Sequence, residues 1–507
     1  MTAGSNDAPR DGFSAGRSLA LLRAHFGAAR ASTSLFASGA TQALITGVLG
    51  GILAGEVGGF VYATFVFTLV ALLITMPFFG ELGFPMRGEG EGDWLRALPA
   101  TAGERRIAQL LVVLALLLAL AIPSLTVAAW LSPNAREIGA PGWGWSGRLA
   151  LVLGGLGFAA AWIGGLTALQ SLLLGKLPAL WRAIQALIGA ISIGGILLSV
   201  PWFAGLESAQ PGELGPLASA WPATWFAGPL PSIAAAFVSL VTGLAVFLAS
   251  AFVPRPTGTE RARAGWSDRL VEPLARLAER FWVRPDERGA FRFVLRALPS
   301  EREFALRVFP LLGLPLAFLW VALTRPPGPE KSGLLALILF TPGFYLPVLA
   351  SQTCASASAA ARWLLECHPT PRAAIDNGWL KAVAVRYVLP LHLALGLMAW
   401  QQAGWRFAVS LALPAALVSL LALRGLWRQT VIDLPLSREP AEVGAPMDLG
   451  GPLMGVGIGL ALVAAVTSQT VTTPLAGLLA TFALSLFEAF ADYRWRSGDV
   501  STGQTTP

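Results

Sequence analysis

Eleven stretches of this chain contain no Asp, Glu, Lys or Arg: residues 31–55, 57–80, 107–135, 149–175, 183–206, 214–254, 308–324, 332–361, 387–405, 407–423 and 449–487. A helix rises about 1.5 Å per residue, so roughly 20 apolar residues cross a hydrocarbon core about 30 Å thick. Most of these stretches suffice for one crossing. The last has a polar centre, Thr467-Ser-Gln-Thr and Thr472-Thr-Pro474, which predicts two helices, the second ending near Arg494. The pattern therefore predicts an all-α polytopic membrane protein of about twelve spans. Continuous apolar runs, rather than short alternating strands, select helices over a barrel.

The same pattern runs through the chain twice. It divides into a cytosolic N-terminus with an amphipathic interfacial helix (1–34), a six-helix half (35–253), a charged cytosolic linker (254–307), a second six-helix half (308–495) and a disordered cytosolic tail (496–507). In the first amphipathic stretch Leu19, Leu22 and Phe26 lie at helical spacing among Arg17, Arg23 and Arg30. In the linker Phe291, Val294, Leu295 and Leu298 do so among Arg288, Arg292 and Arg296. Both are expected in the membrane interface, apolar side in the acyl boundary and arginines toward headgroups.

A finer repeat sits inside the halves. The loop after the second span reads Asp93-Trp-Leu-Arg-Ala-Leu-Pro99, and its counterpart reads Arg362-Trp-Leu-Leu-Glu-Cys-His-Pro369. Each leads into a span with an internal proline (Pro123, Pro390) that ends in tryptophan (Trp130, Trp400). The fourth spans end alike in Lys176-Leu-Pro178 and Leu434-Pro-Leu-Ser437. Several matches in register argue for tandem duplication, and an even number of spans per half makes it a parallel repeat.

Composition adds that 55% of the chain is hydrophobic and 13% charged, about half the charged fraction of a soluble protein. The pI near 10.1 does not imply nucleic acid, because the basic residues are spread over short inter-span loops. All but five of the 36 Lys and Arg fall on one side, the exceptions being Arg136, Arg148, Arg325, Lys331 and Arg406. The positive-inside rule then places both termini in the cytosol of a bacterial-type inner membrane. The polar, arginine-interrupted first 30 residues do not read as a cleavable signal peptide. Cys354 and Cys367 fall on the reducing side, where no disulfide is expected.

An amphipathic helix before span one, and a short Trp/Pro-containing cytosolic helix between spans two and three, resemble the permeases of type-2 ATP-binding-cassette (ABC) exporters. The run Trp94-Leu-Arg-Ala-Leu-Pro-Ala-Thr-Ala-Gly-Glu-Arg-Arg106 is similar to their coupling-helix region, and Trp221-Pro-Ala-Thr-Trp-Phe-Ala-Gly228 to the region ahead of their last span. The chain departs from many members in fusing two halves in one polypeptide. Its second loop also has Cys367-His368 where the first has Ala97-Leu98. The resemblance implies docking of a separate ABC ATPase subunit on two loops. These comprise Asp93, Trp94, Leu95, Pro99, Glu104, Arg105 and Arg106, then Trp363, Pro369, Arg372 and Lys381. ATP and Mg would be held by that partner, because the chain has no G-x-x-x-x-G-K-[ST] loop and binds no cofactor itself. Whether one chain suffices or two form a homodimer is left open.

Twelve spans in two parallel halves also fit an ion-coupled secondary transporter. Against it, the loop starting Gly80-Glu-Leu-Gly-Phe-Pro85 lacks the Asp and the Arg pair of the major facilitator motif, and no acid falls at the centre of a span. A non-catalytic scaffold is the third alternative. His392 alone is placed deep in a span by position. It is a candidate intramembrane polar site, with a hydrogen bond between helices as the plainer account. Cys354, Cys367 and His368 match no zinc spacing, and no catalytic constellation is present, so neither a metal nor an enzyme is expected.

Overall fold

In the computed structural model the described residues are 35–54, 56–78, 101–132, 144–176, 178–206, 219–228, 232–253, 266–324, 328–356, 359–367, 370–431, 433–439 and 450–501, with a few isolated positions besides. Among them every regular element is a helix. Seven helices are long and apolar enough to cross a membrane, and four shorter apolar helices accompany them. The chain is thus an all-α, multi-pass membrane protein by the length and composition of its helices. It divides into two compact units, Met1–Glu260 and Arg261–Pro507.

Unit one contains α1 (Leu35–Leu53), α2 (Gly59–Pro77), α3 (Ala102–Leu131), α4 (Trp145–Lys176), α5 (Pro178–Ala204), the short α6 (Pro222–Ala227) and α7 (Ile233–Ser250). Helix α2 is its centre, with Tyr62, Phe65, Val66, Phe67, Leu69 and Val70 fully buried. The Tyr62 hydroxyl donates to the Ala128 carbonyl of α3 at 2.9 Å. Helices α4 and α7 meet at glycines: a Cβ on Gly243 would lie 1.9 Å from the Gly157 carbonyl oxygen. Only glycine at both positions lets the backbones approach this closely. Pro123 lies within α3, and the exposed Trp130 lies at its end. There the Arg148 guanidinium sits 5.7 Å from the Trp130 ring and 5.4 Å from the Trp145 ring, a pairing suited to a membrane boundary.

Unit two contains α8 (Trp266–Phe281), α9 (Arg288–Ala297), α10 (Arg302–Val308), α11 (Gly313–Thr324), α12 (Pro329–Phe340), α13 (Leu346–Gln352), the one-turn α14 (Trp363–Glu366), α15 (Arg372–Val383), α16 (Leu389–Thr430), α17 (Gly450–Thr470) and α18 (Pro474–Ser501). The expected division of 449–487 into two helices is present. Helix α18 continues to Ser501, so helix covers 496–501, where the pattern predicts a disordered tail; 502–507 lie outside the described residues.

Three further differences have physical causes. The stretch 332–361 is not one straight helix: Pro342-Gly343 and Pro347 turn it through a 3-10 segment, Thr341–Tyr345, between α12 and α13. The chain leaves helix at Thr353 and pairs with 436–438 instead, through Leu436 N–H to the Thr353 carbonyl at 3.1 Å and Arg438 N–H to the Cys354 carbonyl at 3.0 Å. The segment Leu434–Ser437 is therefore irregular, whereas Lys176 ends α4 and Pro178 begins α5. The loop expected over 362–386 is helical from Arg372 onward. It passes through a π-helical turn, Ala384–Val388, into α16. Helix α16 is itself two arms, broken at Gly404 (φ 85°, ψ 165°), a backbone conformation essentially confined to glycine. The exposed Trp400 lies one turn before that break, as Trp130 lies at the end of α3.

The linker helices also depart from expectation. Phe291, Val294, Leu295 and Leu298 do not face lipid; all four are buried in unit two with Trp379, Leu380 and Val383. The apolar stripe of α9 is satisfied by helix α15, so this stripe is not the side of the helix available to the acyl boundary. The amphipathic stretch around Leu19–Phe26 lies outside the described residues, save isolated positions.

Candidate functional site

The expected coupling loops fall unequally on the structure. Asp93, Trp94, Leu95, Pro99 and Pro369 lie outside the described residues. The described end of the first loop is a helix start. Thr101 caps α3, its hydroxyl accepting from Glu104 N–H at 3.2 Å while the Glu104 carboxylate accepts from Thr101 N–H at 2.8 Å. This reciprocal cap explains why Glu104 is fully buried: an acidic residue three positions into a helix satisfies otherwise orphaned amides. Glu104 thus has no surface to present to a partner, which corrects its expected docking role. Arg106 turns toward its own unit, donating to the Ser250 carbonyl at 3.1 Å and to the Val253 carbonyl, where α7 ends. Arg105 remains partly exposed.

In the second loop Trp363 opens α14 and is 57% exposed, beside an Arg362–Glu366 ion pair at 2.8 Å. Arg372 also reaches the surface; it pairs with Asp376 at 3.0 Å and donates to the Asp433 carbonyl. An exposed indole on a one-turn helix just ahead of a span is a feature packing does not require.

Lys381 is different. Its side chain is entirely buried, which removes it from any docking surface. The ammonium donates to Glu287 Oε2 at 2.8 Å and to the Trp282 carbonyl at 3.0 Å, and lies 3.6 Å from Asp492 Oδ1. Asp492 also accepts from Arg424 Nη2 at 3.2 Å, and the same nitrogen donates to Glu488 Oε1 at 2.6 Å. Arg424 Nη1 donates to Asn377 Oδ1 at 3.3 Å. Five charged side chains thus form one chain from the α8–α9 turn through α15 and α16 to α18. Charges removed from water persist only when paired in this way. Sequence reading did not bring Arg424, Glu287 or Lys381 to Glu488 and Asp492. The available signal was the i, i+4 spacing of Glu488 and Asp492, which sets both on one face of α18.

His392 is held as expected of a histidine between helices. Nδ1 donates to the Val388 carbonyl at 2.9 Å, which leaves Nε2 to accept from the Ser419 hydroxyl at 3.1 Å. Both nitrogens are satisfied across the two arms of α16.

The stretch Trp221–Gly228 is packed through Trp221, Ala223, Thr224 and Ala227, while Trp225 is exposed. Trp221 Nε1 donates to Thr68 Oγ1 at 2.8 Å, and its ring stands edge-on to Trp162 with centroids 5.4 Å apart. Trp162 Nε1 in turn donates to Thr75 Oγ1 at 2.9 Å. Two indoles and two threonines therefore pin α6 and α4 to α2.

Among the described residues no three His, Cys, Asp or Glu side chains gather as a metal site. Cys354 is buried, and desolvation, reinforced by nearby Asp433, pushes its thiol up to about 12. It is therefore neutral at physiological pH. Cys367 is exposed, and neither cysteine forms a disulfide. No family model matches the chain, and neither a curated relative nor a solved structure does.

Proposed function

We propose that this protein is the membrane-spanning permease of an ATP-driven exporter of the ABC type, coupled to a separate ATPase subunit that holds ATP and Mg. In this reading the chain crosses a bacterial inner membrane twelve times, in two tandem six-span halves with both termini cytosolic. Supporting the count are the seven long apolar helices, the Gly404 break that divides one of them, and the four shorter apolar helices. The single observation that carries the function is the exposed Trp363 on α14, at the position where the sequence repeats the Trp-Leu and Pro of the loop at Trp94. Force from the ATPase would enter at these two loops.

The test is a mild-detergent pull-down of the tagged chain followed by an ATPase assay on the eluate. A stoichiometric ABC ATPase with vanadate-sensitive hydrolysis is expected. Truncating a buried anchor tryptophan costs 2 kcal/mol or more at an interface, so Trp363→Ala or Trp94→Ala should weaken retention by roughly 30-fold or more. Arg105→Glu should also weaken it, while each variant stays in the membrane. Unchanged co-purification from all three variants would sink the docking reading.

An ion-coupled carrier is the second reading, and one observation favours it. The Glu287–Lys381–Asp492–Arg424–Glu488 chain gathers three carboxylates and two cations inside unit two, and such groups in membrane helices commonly serve ion pathways. If the chain elutes without an ATPase, and a proton or sodium gradient drives uptake in proteoliposomes, this reading replaces the first.

A further inference from the structure

Helices α8 and α9 bury their apolar stripe inside unit two, yet they do not present an ordinary solvated face outward. Helix α8 exposes Arg276, Leu277, Arg280 and Phe281, which follow i, i+1, i+4, i+5 and so share one side, and Arg284 is exposed in the turn that follows. Helix α9 exposes Arg288, Arg292, Phe293 and Arg296 at a similar spacing. The two stripes are stitched at Glu279. Its carboxylate accepts from Arg292 Nε and Nη2 at 2.7 Å each, and its carbonyl accepts from Arg288 at 3.5 Å.

Phe281 is 74% exposed and Leu277 and Phe293 stand out beside it, while the acids on this hairpin are largely occupied. Glu272 pairs with Arg276, Glu279 with Arg292, and Glu287 with buried Lys381. Arg280, Arg284, Arg288 and Arg296 outnumber Asp286, the exposed acid of the turn, and leave a net positive charge around exposed aromatic and aliphatic side chains.

The hairpin is also fixed in place. A Cβ on Gly378 of α15 would lie 2.5 Å from the Glu287 carbonyl oxygen, so α9 is seated directly on the helix that leads into a span. The Glu287–Lys381 bond fastens the same joint. An arginine–aromatic face held rigidly at the start of a membrane helix meets the headgroup layer, where guanidinium groups pair with phosphate and rings enter the acyl boundary.

We propose that the outer face of the α8–α9 hairpin binds anionic phospholipid headgroups of the cytosolic leaflet. The proposal does not depend on which energy source drives the protein.

The test uses the full-length protein in bilayers. Gly289 is exposed with open space around it, so Gly289→Cys in a Cys367→Ser background accepts a fluorophore while buried Cys354 does not react. Quenching by brominated phosphatidylglycerol is compared with quenching by brominated phosphatidylcholine. Each arginine near an anionic surface contributes about fivefold, so the intact face should prefer phosphatidylglycerol by at least that factor. The triple variant Arg280→Gln, Arg284→Gln, Arg296→Gln, which leaves the Arg288 and Arg292 stitches intact, should lose the preference. Three results overturn the proposal. They are quenching by neither lipid, equal quenching by both, and a preference that survives the triple substitution. Protection that arises only when an ATPase subunit is added would assign the face to a protein partner instead and overturn it as well.

Discussion

Lys381 and Glu287 sit where neither side chain meets water, and they pair at 2.8 Å. Removing one partner leaves a stranded charge, so Lys381→Ala is expected to lower stability by about 3–5 kcal/mol, read from the denaturation midpoint in detergent. A Lys381→Met, Glu287→Gln double variant should cost less than the sum of its single changes, and additivity would show that the two are not coupled. Cys354 supplies a second expectation. Its folded pKa lies above that of the unfolded thiol, so burial of the neutral form stabilises fully below about 8.5 and fades as pH rises toward 12. Alkylation at pH 8 should accordingly modify Cys367 alone, with Cys354 reacting only after unfolding; equal labelling in the native state would contradict this burial. At this scale the sequence was least informative. His392 was legible because it stands alone in an apolar run, whereas Lys381 and Glu104 read as loop charges. Their burial depends on Glu287, far away in the chain, and on a helix start whose cap is visible only as Thr101-x-x-Glu104.

Helices were read well where apolar length decides and poorly where backbone detail does. The α17–α18 division follows from the polar residues around Thr472 and Pro474, and the structure has it. The α12–α13 break was not foreseen, although Pro342, Gly343 and Pro347 all lie inside the stretch. Proline in a membrane helix is compatible with a kink, a break or neither, because neighbouring helices decide where the freed carbonyls go. For α9 the periodicity was right and the environment wrong: the stripe of Phe291 and Val294 says that something apolar covers it, not whether that is lipid or protein. Two glycines carry element-scale predictions. Gly243→Leu must displace the α4 backbone rather than a side chain, so it should exceed the roughly 1–3 kcal/mol usual for overpacking and abolish the folded, monodisperse species on size exclusion. Gly404→Val places a β-branched residue at positive φ and should cost about 1–3 kcal/mol, seen as a lower melting temperature with the protein still inserted. An unchanged melting temperature would mean that the break can move to a neighbouring residue.

For the whole molecule, the all-α membrane class was evident from the charge-free runs alone, because a bilayer sets helix length so strictly. The fate of the loop tryptophans was not equally evident, since a tryptophan in a loop can anchor to lipid, pack inward or await a partner. In the structure Trp363 is outward and Glu104 inward, a distinction no local motif encodes. The charged chain through unit two bears on how the protein is made. Arg424 precedes Glu488 and Asp492 by 64 and 68 residues. During synthesis the second arm of α16 is therefore translated before the two carboxylates that meet its guanidinium, while Asn377, another of its partners, is already made. Holding an arginine within the hydrocarbon costs about 2.5–3.5 kcal/mol at the centre and less toward an edge. That arm is therefore expected to rest near an edge of the bilayer until α18 is made, so that a later span lets an earlier one settle.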